Sequence, residues 1–225
     1  MKPALFSTLS YGLLRAARNL LAAAILAAGP ALADPPQVVM LGDSLTQGYG
    51  LPPEQGLVPQ LQTWLDAHGT QAVLVNAGVS GDTTAGGLAR LDWSLTPETR
   101  ALVVILGGND MLRGLDPALA HDNLAGILKG AGARGLPVLL VAMRAPGNYG
   151  PDYKARFDAI YPALAAEYGA LLADHFFAPL TGDGSDPAAA RPWMQADGIH
   201  PNAEGVAKVV DWLGPQVQKL LQQAR

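Results

Sequence analysis

After residue 33 the chain alternates short apolar runs with stretches of helical spacing. Val38–Leu41, Ala72–Val75, Ala101–Leu106, Pro137–Met143 and Ala170–Ala173 read as five strands. Ala101–Leu106 is almost purely apolar, as a strand buried on both faces requires. Between them, apolar residues recur every three or four positions. Val58, Leu61, Trp64 and Leu65 mark one helix, and Leu115, Leu119, Leu124, Ile127, Leu128 and Ala131 mark another. Thr83–Asp92 is expected to be a short helix capped by Asp82, and Asp152–Tyr168 a single helix. A last helix, carrying Val206, Val209, Val210 and Leu213, is expected behind Asn202 as cap. Pro215 should kink that helix or start a new one. Strands alternating with helices predict an α/β fold with a mostly parallel sheet covered on both faces. Thr181–Pro192, rich in Gly, Asp, Ser, Pro and Ala, reads as a surface loop.

The first 33 residues carry a different pattern. Lys2, Arg15 and Arg18 precede the apolar run Leu20–Ala28, and Ala31-Leu32-Ala33 supplies a small-x-small site before Asp34. This is the arrangement of a cleavable signal peptide, and the run is short for a membrane span. The expected organisation is therefore a signal peptide over 1–33 and a single domain over 34–225. Export to the periplasm or beyond is expected, without stable membrane insertion after cleavage. The chain has no cysteine, which excludes disulfides, thiolate metal sites and cysteine catalysis. Its net charge of −4, with no long basic run, gives no footprint for nucleic acid.

In an open α/β sheet, ligands bind beyond the carboxyl ends of the strands. Four polar clusters fall on that rim: Gly42-Asp43-Ser44-Leu45, Asn76–Asp82, Gly107-Gly108-Asn109-Asp110 and Asp197-Gly198-Ile199-His200. Nucleophilic hydrolysis needs a hydroxyl, a base, a group that orients the base and donors for an oxyanion. Ser44 supplies a hydroxyl, and His200 stands three residues from the carboxylate of Asp197. The backbone N–H groups of Ser44 and Gly81 and the amide of Asn109 are candidate oxyanion donors. Taken singly, each has a structural reading: Ser44 as a helix cap, Gly81 as a turn residue, Asn109-Asp110 as a capped turn, and Asp197–His200 as a surface loop. Their joint occurrence at strand ends carries the argument.

These four clusters resemble the sequence blocks of the SGNH (GDSL) hydrolase family. Gly78–Thr84, Arg90-Leu91-Asp92-Trp93 and Arg144–Gly150 resemble the branch holding acyl-CoA thioesterase I, lysophospholipase L1 and the bacterial arylesterases. The resemblance implies a flavodoxin-like three-layer α/β/α sandwich of about five parallel strands. It implies Ser44 as nucleophile, Asp197 and His200 as its triad partners, and Ser44, Gly81 and Asn109 as the oxyanion hole. It implies acyl ester or thioester substrates and no metal or other cofactor. The loop Arg144–Tyr153 follows strand four, and Tyr149 within it is a candidate substrate contact and lid residue. Two other readings stand beside this one. A carbohydrate O-deacetylase would use the same triad, with Trp93 or Trp193 as sugar-stacking candidates, and a non-catalytic binding module would have no need of the full set. Gly130–Gly135 spells G-x-G-x-x-G, but it follows a helix and precedes a strand, the reverse of a dinucleotide site. His68, His121 and His175 lack metal-ligand spacing.

Overall fold

The computed structural model describes residues 34–182 and 187–224. The expected signal peptide and the middle of the Thr181–Pro192 loop lie outside the described residues. Five strands form one sheet: β1 (Gln37–Gly42), β2 (Val73–Gly78), β3 (Thr99–Ile105), β4 (Val138–Val141) and β5 (Leu171–Ala173). Their order is β2-β1-β3-β4-β5, and every pairing is parallel. This is the flavodoxin-type order, in which the chain first moves to one side of β1 and then to the other.

The handedness of the connections assigns the helices to faces. A right-handed crossover moving from β1 to β2 places its helix on one face, and crossovers moving the opposite way place theirs on the other. The first crossover carries α1 (Ser44–Gln47) and α2 (Leu57–Ala67). The later ones carry α3 (Thr84–Ala89), α4 (Leu91–Ser94), α5 (Gly108–Leu112), α6 (Pro117–Gly132), α7 (Pro151–Asp158) and α8 (Ile160–Tyr168). A short α9 (Ala178–Thr181) and a 3₁₀ turn lead to α10 (Ala203–Leu221). The packing follows: α10 lies against α2, while α3 and α8 both lie against α6. The result is a three-layer α/β/α sandwich. Ala101–Leu106 is fully buried at its centre, and Val73, on edge strand β2, is 44% exposed.

The structure departs from the sequence expectation at three helices. Asp152–Tyr168 is two helices meeting at Ala159, because Pro162 has no N–H to donate to the Asp158 carbonyl and its ring crowds that group. Thr83–Asp92 also divides, at Arg90, and its cap is Thr83, whose hydroxyl accepts from the Gly86 N–H. Asp82 instead meets the Arg90 guanidinium at 2.6 Å. By contrast α10 runs unbroken through Pro215, which is exposed, so the carbonyl it leaves unpaired can face solvent. Its cap is Asn202, as expected, with Oδ1 accepting from Gly205 N–H at 2.9 Å. Gly132 ends α6, so the glycines of the G-x-G-x-x-G string serve a helix terminus.

His175, just beyond β5, is buried beside Phe176 and Phe177, and its Nδ1 meets no hydrogen-bonding partner among the described residues. Burial disfavours the charged ring and Arg144 adds repulsion, lowering its pKa from 6.5 to about 4. A base with a lowered folded pKa stabilises the protein fully above 6.5, and the contribution is lost as pH falls from 6.5 toward 4. Asp43 acts in the opposite sense, because burial raises it from 3.8 to about 6. Comparing wild type with His175→Leu cancels the Asp43 contribution. Between pH 7 and pH 4.5 the wild type should lose about 2 kcal/mol more in urea unfolding than the variant, taking 1.36 kcal/mol per unit. Equal losses would exclude His175 as a source of acid sensitivity.

Candidate active site

The site begins where β1 ends. A strand entering a helix exposes the first N–H groups of the helix, and these need an acceptor. Asp43 is the cap: its Oδ1 accepts from the Leu45 N–H at 3.0 Å. Ser44 is therefore the first residue of α1 rather than its cap, and its hydroxyl is free to point elsewhere. The turn is tight. A Cβ at Gly42 would lie 1.9 Å from Thr46 Oγ1, and one at Gly78 would lie 2.3 Å from the Gln47 backbone nitrogen. Both positions require glycine for space, and the ends of β1 and β2 close against α1 because of it.

His200 arrives from the other side of the sheet's rim. A bridge between Met194 and Pro201 closes the loop that holds it, with Gln195 N–H donating to the His200 carbonyl at 2.7 Å. Gly198 makes the turn with φ +67°. Gln195 then ties this loop to the nucleophile turn, its Nε2 donating to the carbonyls of Tyr49 at 2.8 Å and Pro201 at 3.0 Å. His200 Nε2 lies 2.8 Å from Ser44 Oγ, and its Nδ1 lies 2.6 Å from Asp197 Oδ2. An ionised carboxylate can only accept, so Nδ1 carries the proton, Nε2 is bare, and Ser44 Oγ–H donates to it. Burial pushes the Asp197 carboxyl upward, but donors from the His200 ring and the Ile199 and His200 backbone outweigh it, bringing the pKa to about 2. Asp197 is thus charged at every pH where an imidazole titrates. The arrangement can take a proton from a serine hydroxyl and hold the resulting imidazolium beside a fixed charge.

Gly81 and Asn109 approach from the ends of β2 and β3. Asn109 Nδ2 donates to the Asp82 carbonyl at 2.9 Å and to Asp43 Oδ2 at 3.3 Å, which joins all three strand ends. Gly81 has φ +84°, a conformation natural to glycine alone, and its carbonyl accepts from Arg113 at 2.7 Å. Arg90 braces the same loops from below. Its guanidinium reaches Asp82 Oδ2 at 2.6 Å and the carbonyls of Ala77 and Gly42, each at 2.8 Å. Tyr149 stands on the rim, 43% exposed, with its hydroxyl donating to the Leu112 carbonyl at 3.1 Å and its ring tilted on Tyr153. Beside Ser44 and His200 is a small cleft walled by Leu45, Tyr49, Leu51, Phe176 and Val206, with the Tyr49 ring centroid 4.7 Å from that of His200.

Sequence reasoning missed the bracing residues Asp43, Arg90 and Gln195. Asp43 carried a signal, a carboxylate placed directly before the candidate nucleophile at the end of an apolar strand. Arg90 stood in a block singled out for its family resemblance, but its contacts with the carbonyls of Ala77 and Gly42, and that of Gln195 with Tyr49, join residues too distant in sequence for local spacing to show. No group of three or more potential metal-binding His, Asp or Glu side chains occurs among the described residues.

The fold and these rim loops define an α/β hydrolytic scaffold, and the comparisons supply its family. The GDSL-like lipase/acylhydrolase family model matches residues 40–208, and the chain belongs to that family. It is 43% identical over 185 residues to the esterase TesA of Pseudomonas aeruginosa, covering 82% of this chain and 89% of that one. It is 38% identical to thioesterase 1/protease 1/lysophospholipase L1 of Escherichia coli K12, covering 82% and 84%. Among solved structures, the psychrotrophic esterase EstA from Pseudoalteromonas superposes with TM-score 0.75 at 32% identity, covering 83% of this chain and 99% of that one. The chain is a carboxylic ester hydrolase of the serine-dependent GDSL type.

Gly78→Ala tests the tight turn. Backbone cannot swing aside as a side chain can, so the added methyl should displace α1 from β2. Urea unfolding should show a loss of about 2 kcal/mol, within the usual cost of overpacking, and turnover of an aryl ester should fall at least tenfold. Stability and turnover close to wild type would show that the turn has slack the geometry denies.

Proposed function

We propose that the chain is exported and cleaves acyl esters or thioesters through an acyl-enzyme on Ser44. The observation that carries this is the continuous line from Asp197 through His200 to Ser44, with contacts of 2.6 and 2.8 Å. Within this reading His200 Nε2 accepts the Ser44 proton as Oγ attacks the acyl carbon. The ring then returns that proton to the departing alkoxide or thiolate. A water molecule, deprotonated by His200 in turn, attacks the acyl-enzyme and releases the acid. Negative charge on the former carbonyl oxygen falls to the Ser44 and Gly81 N–H groups and the Asn109 amide. No step requires a metal or cofactor.

The signal-like segment 1–33 supports export, with residues 34–225 as the mature single domain, most simply in a bacterial periplasm. No helix among the described residues is long and apolar enough to cross a membrane. The names of the relatives, an esterase and a thioesterase/lysophospholipase, favour acyl substrates over acetylated sugars. The aromatic candidates for sugar stacking agree with this. Trp93 lies on α4, which leads into the amino end of β3, opposite the rim, and Lys208 stands 4.2 Å over the Trp193 ring.

Two measurements test the reading. Ser44→Ala should remove phosphonate labelling and lower p-nitrophenyl ester turnover by at least about 10³-fold without changing the fold, and Asn109→Ala should lower kcat by roughly 10² to 10³ with KM little changed. A Ser44→Ala enzyme of near-normal turnover would overturn the assignment. Tyr149 is proposed to line the path of the acyl group as part of a lid. In a series from acetate to decanoate, kcat/KM should rise by up to a few-fold per methylene, since each buried CH₂ contributes about 0.8 kcal/mol. Tyr149→Ala should flatten that slope, and an unchanged slope would remove Tyr149 from the substrate path.

A further inference from the structure

Asp43 has a second contact that capping does not need. It is 2% exposed, and only one of its oxygens serves the cap, Oδ1 toward Leu45 N–H. The other, Oδ2, faces the Asn109 amide at 3.3 Å. The surrounding backbone leaves room for this approach, since a Cβ at Gly108 would stand 3.2 Å from Oδ2. Asn109 therefore meets two acceptors with one end of its side chain, Asp43 Oδ2 and the Asp82 carbonyl. Only the NH₂ end can satisfy two acceptors, so this pair decides which way the amide points. Reversed, the amide would set its oxygen against a carboxylate and a carbonyl, with no donor between them.

We infer that Asp43 is a positioning residue of the oxyanion hole, whose buried carboxylate holds the Asn109 NH₂ group toward the reacting carbonyl. This rests on the proposed role of Asn109 as an oxyanion donor. The two bonds to Asn109 divide the work. The bond to the Asp82 carbonyl, at 2.9 Å, is of ordinary length and anchors the amide. The bond to Asp43 is long, so its hydrogen is the cheaper of the two to share with an incoming oxyanion. Burial raises the Asp43 carboxyl to about 6, so above neutrality it is chiefly ionised and purely an acceptor. A rigid amide aimed before substrate arrives needs no reorganisation during the reaction, which is where oxyanion donors derive their effect.

The test is a double-mutant cycle on p-nitrophenyl ester turnover at pH 8. Asp43→Asn keeps the cap, because asparagine caps helices as well as aspartate, but it sets a donor amide against the Asn109 NH₂. Asp43→Ser also keeps a cap and is too short to reach Asn109, so it is carried through the same cycle in case one variant folds poorly. Each single variant should lower kcat at least tenfold and leave KM within about threefold. In an Asn109→Ala background the same changes should alter kcat by less than threefold, because the group they act through is gone. Equal losses in both backgrounds would show that Asp43 acts independently of Asn109 and would overturn the inference. So would near-normal kcat in the Asp43 variants while Asn109→Ala is impaired, with the oxyanion role of Asn109 left standing. If Asn109→Ala itself turns over normally, the oxyanion assignment falls and this inference with it.

Discussion

Between Leu41 and Leu45 the chain passes from a strand buried on both faces to the first turn of a helix, and the buried carboxylate of Asp43 makes that passage possible. Without an acceptor, the first N–H groups of α1 would point into a closed space. With Asp43 as cap, the helix starts one residue earlier than a serine cap would allow, and the Ser44 hydroxyl is released toward His200. The glycines at 42 and 78 follow from the same constraint, because any Cβ there would strike α1. The buried acid thus fixes where the helix begins and which hydroxyl is free, and the two glycines set how closely the strand ends approach it.

The other parts of the rim are arranged around that turn by groups whose partners are largely backbone. Arg90 holds the carbonyl ends of β1 and β2 together, and Gln195 joins the histidine loop to the residues that follow α1. Tyr161, fully buried, donates to the Leu106 carbonyl at 2.8 Å and steadies the end of β3 beneath Gly107 and Asn109. Side chain to backbone bonding suits this task. It fixes the path of a loop regardless of which side chains the loop presents, so the polar groups above it remain available for chemistry.

Electrostatics at the site divides between two carboxylates. Asp197 is held near pKa 2 by three donors and stays charged beside the imidazole. Asp43 is driven up to about 6 by burial, although the Leu45 N–H, His200 and Asn109 all favour its ionised form. The first supports a developing positive charge on His200. The second sits under the Ser44 turn, where its value lies in directed hydrogen bonding. Two acids within one site thus take different roles through environment alone.

Much of this was legible in the chain itself. The five strands followed from short apolar runs, and the parallel sheet followed from their alternation with helices, because only that pattern buries both faces. Three of the rim clusters were visible since each sits where an apolar run stops, and the fourth, Asp197–His200, since it sets a histidine three residues from a carboxylate just before the last helix. Ser44, Gly81, Asn109, Asp197 and His200 could therefore be singled out before any geometry was known. What the chain could not disclose was set by contacts distant in sequence. The bracing by Arg90 depends on a guanidinium reaching carbonyls 13 and 48 residues away, and local spacing carries no trace of that. The continuity of α10 through Pro215 depends on that proline facing outward. The second role of Asp43 depends on a side chain 66 residues away. Local pattern determines which elements form and which residues end them. Only the closing of the sheet decides which of those residues meet, because hydrogen bonds act over a few ångströms and bear no relation to separation along the chain.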